Sequence, residues 1–149
     1  MSIYCDTTFF IGLYVAIDTH STVALTEWKR LDCPPLVFTP LHRLEVRNAI
    51  RQFEFAGDLK SAKVKEVLRC LEDDLVDGTL LHQSFDWTGA LRHAERIGEA
   101  HTRHTGVRAM DLFHVAAALA LDAELFLTFD DRQFTTAKAA GLKAVFPKK

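Results

Sequence analysis

No apolar run in this chain approaches the ~20 residues a membrane-spanning helix needs, and no Pro/Gly/Ser-rich stretch reads as a linker. Internal repeats and low-complexity segments are also missing, which excludes solenoids, fibrous chains and a disordered polymer. Cysteine is scarce: Cys5, Cys33 and Cys70 are odd in number, widely spaced and outside any CxxC. That excludes a disulfide framework and a thiolate metal cluster, and predicts reduced, mostly buried thiols. Neither sign of charge dominates, with 18 Lys and Arg against 20 Asp and Glu. The whole-chain field therefore attracts no polyanion, and nucleic-acid contact must rest on local basic patches or bound metal. The start, MSIYCDTTFFIGLY, has no basic segment, and Asp6 precedes its apolar stretch. It does not read as a secretory signal, so the cytoplasm is the expected location.

What is present is an ordinary globular composition, 48% hydrophobic and 26% charged over 149 residues. This predicts one domain, 1–149, with a real core. Strands are expected at Ile3–Asp6, Leu36–Phe38, Thr79–His82, Glu124–Phe129 and Lys143–Phe146. Helices are expected at Phe9–Ala16, Ser21–Leu31, Pro40 to about Ala56, Ser61–Leu75, Trp87–Arg103, Met110–Leu121 and Asp131–Ala140. Thr39-Pro40 is a helix start, because Thr caps free N–H groups and Pro at the first helical position loses no needed donor. Strands alternating with helices imply an α/β fold with a parallel sheet, whose ligands bind outside the carboxyl ends of the strands.

Four acids sit in sensitive places. Asp6 ends the first strand, and taken alone it reads as a helix cap. Glu45 lies on a line with Leu41 and Ala49, flanked by Leu44 and Asn48, away from the Arg43, Arg47 and Arg51 stripe. It thus falls on the inward face of its helix. Asp111 falls in the first turn of an apolar helix, where the helix dipole favours an anion. Asp130 and Asp131 follow the Glu124–Phe129 strand; Asp131 fits a helix cap, leaving Asp130 at the strand end. Thr128 points to the same side as Asp130, by the period of two. Converging carboxylates repel and resist desolvation, and a hard divalent cation such as Mg²⁺ or Mn²⁺ removes the conflict. Such a site suits metal-assisted phosphodiester hydrolysis.

The segments IYCDTTFF, TPLHRLEVRNAI, VRAMDLFHVAAALA and LFLTFDDRQFTTAKAAGL resemble, in order and spacing, the four acidic motifs of PIN-domain ribonucleases, most of all VapC-type toxins. The resemblance implies a three-layer α/β/α sandwich with a central, mostly parallel sheet. It implies a catalytic, metal-binding set of Asp6, Glu45, Asp111 and Asp130, with Thr7, Thr128 and Asp131 as accessories. It also implies Mg²⁺ or Mn²⁺ as cofactor, RNA as substrate, dimerisation, and inhibition by a cognate antitoxin. Glu45 would complete the metal shell and orient the attacking water.

The remaining features have blander readings. His114, in a nearly all-apolar helix, reads as a satisfied core histidine within reach of Asp111. Arg43 and Arg47 read as a solvated face or an RNA or antitoxin contact, whereas Arg103 and Arg108 bracket the loop before Asp111 and suit a phosphate. His101 and His104 lack further zinc ligands. Trp28 and Trp87 are expected to pack. Two other functions stay open: a PIN-like interaction module without catalysis, and an α/β phosphatase using Asp6. Against the phosphatase, Thr8 stands where a haloacid-dehalogenase-type enzyme carries a second Asp.

Overall fold

Alternation of strand and helix is realised along the whole chain. The computed structural model describes all residues, Met1–Lys149. Its elements are β1 (Ile3–Cys5), α1 (Thr7–Tyr14), α2 (Ser21–Arg30), β2 (Leu36–Phe38), α3 (Pro40–Phe55), α4 (Ser61–Asp77), β3 (Leu80–His82), α5 (Trp87–Thr105), α6 (Ala109–Ala120), β4 (Leu125–Leu127), α7 (Asp131–Ala139) and β5 (Ala144–Val145). The strands form one sheet in the order β3-β2-β1-β4-β5, every neighbouring pair parallel. All expected elements appear. Boundaries shift by a turn at most: α1 stops at Tyr14 and α4 runs on to Asp77.

Each strand sends alternate side chains to opposite faces. Ile3, Cys5, Leu36, Phe38, Leu125 and Leu127 enter one core with α1 to α4. Tyr4, Val37 and Phe126 enter a second core with α5 to α7. Two cores on two faces make the three layers, α/β/α. Full burial of an aromatic or aliphatic side chain contributes about 1.5–3 kcal/mol, so Phe9, Phe10, Phe38 and Phe126, all fully buried, anchor the sheet. Helix α6 is buried from Phe113 to Ala118, as its all-round apolarity predicts. No helix is long and apolar enough to cross a membrane.

Helix α3 begins at a capping box. Thr39 Oγ1 accepts from the His42 backbone N–H at 3.2 Å, and His42 Nδ1 accepts from the Thr39 N–H at 2.9 Å. His42 is buried, and its Nε2–H donates to the Cys5 carbonyl at 2.6 Å. The ring thereby joins the start of α3 to the end of β1. Burial, then the neighbouring His114, pushes its pKa well down, so the ring is neutral. Gly106, at φ 67°, supplies the left-handed residue that turns α5 into the approach to α6.

The cysteine expectation needs correction. All three are free thiols, but only Cys5 is buried; Cys33 and Cys70 are exposed. Cys33 lies in a left-handed turn at φ 49° and Cys70 on the outer side of α4. Trp28 packs as expected and donates to the Pro34 carbonyl at 3.0 Å. Trp87 stacks on Phe85 with ring centroids 5.0 Å apart.

Removing the Thr39 hydroxyl strands donors at a buried helix start. Thr39→Ala is expected to cost about 1–2 kcal/mol, seen as a lower urea midpoint with an unchanged slope.

Candidate active site

The strand order turns back between β1 and β4, so a crevice opens at their carboxyl ends. Asp6 leaves β1 there. Its backbone N–H still pairs with the Leu127 carbonyl of β4, at 3.0 Å. Its side chain caps α1: Oδ1 accepts from the Phe9 N–H at 3.0 Å and from the Thr8 hydroxyl at 2.6 Å. Oδ2 accepts from the Thr128 hydroxyl at 2.6 Å. The cap and the strand-end acid are thus one side chain, and it is only 2% exposed. Burial raises its pKa to about 6 against the lowering effect of those three hydrogen bonds.

Glu45 faces inward from α3, half-buried, as its line with Leu41 predicts. Leu44 and Asn48 do not share that face; both are exposed. Glu45 Oε1 accepts from the Thr7 hydroxyl at 3.2 Å and is bonded by His114 Nε2. Burial raises the Glu45 carboxyl, but the hydrogen bonds from His114 and Thr7 more than offset it, and the pKa falls below its ordinary value. His114 is a satisfied core histidine, yet its partners are Tyr4 and Glu45. Its Nδ1 lies 2.7 Å from the Tyr4 hydroxyl. With Nε2 donating to a carboxylate, Nδ1 accepts from Tyr4, a proton placement assigned from these partners. Burial, then the charges of Glu45 and Asp6, holds the Tyr4 hydroxyl protonated.

Asp111 occupies the first turn of α6, whose N-cap is Arg108. Burial raises its pKa, and the charge of Asp130 raises it further; His114 and Arg108 pull the other way. The capping assignment at α7 is reversed from expectation. Asp130, not Asp131, is the N-cap, its Oδ1 accepting from the Gln133 N–H at 2.8 Å. Asp130 is the last extended residue, so its side chain reaches the free amides, while Asp131 is already helical and exposed. Gln133, fully buried, ties the two acid-bearing ends together. Its Nε2 donates to the Asp111 carbonyl at 3.2 Å, and its Oε1 lies 3.1 Å from the Thr128 hydroxyl.

The basic residues divide. Arg43 and Arg47 both hold Glu72 of α4, at 2.8 Å each, and so are engaged across the α3–α4 contact. Arg103 Nε donates to His104 Nε2 at 3.0 Å on the exposed end of α5. Arg108 is only loosely paired: its Nε is 3.9 Å from Asp111 Oδ2, beyond hydrogen-bond distance, and its side chain is 79% exposed. It lines a cavity of about 460 Å³ with Phe129, Asp130, Asp131 and Arg132. Tyr4, His42, Gln133 and Arg132 are site neighbours that motif spacing does not reveal, since each depends on a contact made only by folding.

The donor set suits a hard divalent cation, being carboxylate oxygens throughout. The upward shifts of Asp6 and Asp111 show carboxylates that gain from a positive charge among them. No three acid, histidine or cysteine side chains already converge as a formed cation site. Asp111 responds to the charges of Asp130 and Glu45, whereas the Asp6 shift comes from its burial, offset by its hydrogen bonds and by His114.

An α/β/α sandwich with acids at the turning point of a parallel sheet defines a class, and comparison gives the family. The PIN domain model matches residues 3–139, and the chain belongs to the PIN-domain family. Its fold is similar to that of FitAcB from Neisseria gonorrhoeae, at TM-score 0.68 and 17% identity over 97% of each chain. It is also similar to VapC20 of Mycobacterium tuberculosis, described as a Sarcin-Ricin loop cleaving toxin, at TM-score 0.64 and 16% identity over 98% of this chain and 100% of that one. At such identities the likeness is one of fold. Comparison with curated protein sequences gives no match.

Asp6 makes a pH-dependent contribution to stability. Its pKa is about 6 folded against an ordinary 3.8, so the native protein binds the extra proton between those values. Stability from this group falls as pH rises from about 4 to about 6, and the penalty persists above. Metal-free Asp6→Asn is therefore expected to be more stable than wild type near pH 7, by on the order of 1–3 kcal/mol. The gain shrinks near pH 4. Urea titrations in EDTA at both pH values check this.

Proposed function

We propose that this chain is a divalent-metal-dependent endoribonuclease that hydrolyses RNA phosphodiester bonds, and that it acts as the toxin of a bacterial toxin–antitoxin pair. The observation that carries the reading is the crevice itself. Asp6 and Asp111 are held there with raised pKa values, Asp111 partly by the charge of Asp130. Such an arrangement costs stability in the metal-free chain and is relieved by a cation. Membership of the PIN-domain family supports nuclease chemistry, and the fold shared with VapC20, a Sarcin-Ricin loop cleaving toxin by its description, supports RNA and the toxin role.

In this reading Asp6, Asp111 and Asp130 hold Mg²⁺ or Mn²⁺, and Glu45 completes the set. A divalent cation bound there supplies activation of water and neutralisation of phosphate charge. The chain's own groups supply orientation. Thr8, Thr128 and the Phe9 amide fix the Asp6 carboxylate; His114 and Thr7 fix Glu45 so that it can accept a proton from the attacking water. Arg108, exposed beside Asp111, takes the substrate phosphate. The partners are RNA, a cognate antitoxin protein and a second copy of the chain. A phosphatase using Asp6 as nucleophile is disfavoured, because Thr8 stands where a haloacid-dehalogenase-type enzyme carries its second Asp, and the Thr8 hydroxyl is spent on Asp6 Oδ1.

The purified protein is expected to cleave single-stranded or structured RNA with Mg²⁺ or Mn²⁺ and to stop in EDTA. Loss of a metal-holding carboxylate removes several kcal/mol of transition-state stabilisation, so Asp111→Asn should lower the rate on the order of 10²–10³-fold. Undiminished cleavage by folded Asp6→Asn or Asp111→Asn protein would falsify the reading. The toxin role predicts growth arrest on overexpression of wild type, relieved by Asp111→Asn.

A further inference from the structure

Beside the acid crevice lies a second cavity, of about 550 Å³, whose walls include Thr7, Thr8, His20, Gln52, Asp58 and Phe129. Its size is in the range of small-ligand sites. We propose that it is a nucleobase subsite that selects guanine next to the cleaved phosphate, an inference that rests on the RNA reading above.

Position is the first argument. Thr7 bonds Glu45 and Thr8 bonds Asp6, so anything in this cavity lies one side chain from the acids. The second argument is a column of parallel rings. Phe129 stacks on Phe9, centroids 5.5 Å apart and planes at 14°, and also on His20, at 4.2 Å and 5°. The column starts in the core, where Phe9 is fully buried, and ends at the cavity wall in half-buried His20. A planar heteroaromatic base continues such a stack, the common means of holding unpaired RNA bases.

Gly12 lies under the same turn. A Cβ there would press on Ala24 Cβ at 3.0 Å and meet the His20 carbonyl oxygen and the Phe129 ring at 3.4 Å, so the glycine chiefly lets α1 and α2 approach.

Charge is the third argument. No Lys or Arg lines this cavity, whereas Asp18 and Asp58 do, and neither carboxylate is in a salt bridge. Asp18 Oδ1 already accepts from the His20 backbone N–H at 2.9 Å, which fixes the turn that carries the ring. Such walls repel phosphate and accept from N–H donors. Guanine offers two adjacent donors, N1–H and the 2-amino group, to one carboxylate; uracil offers one. Across Phe129, the 460 Å³ cavity carries both Arg108 and Arg132. Phe129 is the wall common to both cavities: on one side two arginines stand among Asp130 and Asp131, and on the other there are carboxylates and a ring stack but no cation.

The test is residue-resolved NMR titration of the wild-type chain with GMP, AMP, CMP and UMP, repeated on His20→Ala and Asp58→Asn. Asp58 is exposed, so its substitution does not endanger folding. GMP is expected to shift the signals of His20, Gln52 and Phe129 saturably and to bind at least about tenfold more tightly than UMP. Each variant should weaken GMP by roughly tenfold, as loss of a stacking or hydrogen-bonding contact to a base does. Equal affinity for the four nucleotides, shifts confined to Arg108 and Arg132, or unchanged GMP affinity in both variants overturns the subsite. A parallel digest of random-sequence RNA separates the two ideas. Cleavage without base preference, and without GMP in this cavity, sinks the subsite and spares the nuclease. GMP bound as described by a chain inert toward RNA supports the subsite and sinks the nuclease.

Discussion

A single buried carboxylate organises this molecule. Asp6 ends β1, caps α1 through the Phe9 amide and, through Thr128, grips the end of β4. An ion this far from water is tolerated only because each of its oxygens is hydrogen-bonded, and even so its pKa is lifted to about 6. The sheet's turning point, the start of its first helix and the floor of the acid crevice are thus one arrangement. Structure and candidate chemistry are not separable there, and a change that relieves the burial of this charge also removes the group proposed to hold the cation.

Much of this was legible in the sequence because it is local. Alternating apolar runs, the Thr39-Pro40 start and the acids at strand ends are patterns of a few residues, and the structure follows them. Glu45 could be assigned inward because helical spacing alone separates it from Arg43 and Arg47. What could not be read is what distant segments do to one another. The Tyr4–His114 bond joins residues 110 positions apart, and the His114–Glu45 bond spans 69. Neither leaves a trace in spacing, so His114 read as plain core. Glu72 claims Arg43 and Arg47 for the same reason. The exchange of roles between Asp130 and Asp131 is subtler. Either could cap α7, and the choice turns on which residue keeps an extended backbone, φ −101° and ψ 117° for Asp130.

The similarity to FitAcB and VapC20 fits this division. At 17% and 16% identity the sandwich is retained while most side chains differ. A parallel sheet whose order turns back beside its first strand always opens a crevice at that point. Residues at the ends of β1 and β4 can therefore keep their relation while the cores beneath them are repacked, as Tyr4 and Phe126 are packed here, stacked within 6° of parallel.

Gln133 couples that crevice to the outer layer. Its backbone is capped by Asp130, and its side chain spans from Thr128 to the Asp111 carbonyl. The first turn of α7 is thus a clasp between the two acid-bearing ends, and a short helix end is the kind of unit that opens locally well below the cost of global unfolding. When that turn frays, Asp130 loses its fixed position and Asp111 loses its brace in the same event. Fraying of that first turn and loss of the arrangement between Asp111 and Asp130 are then a single equilibrium, and the solvent exchange of one amide hydrogen, that of Gln133, is its gauge.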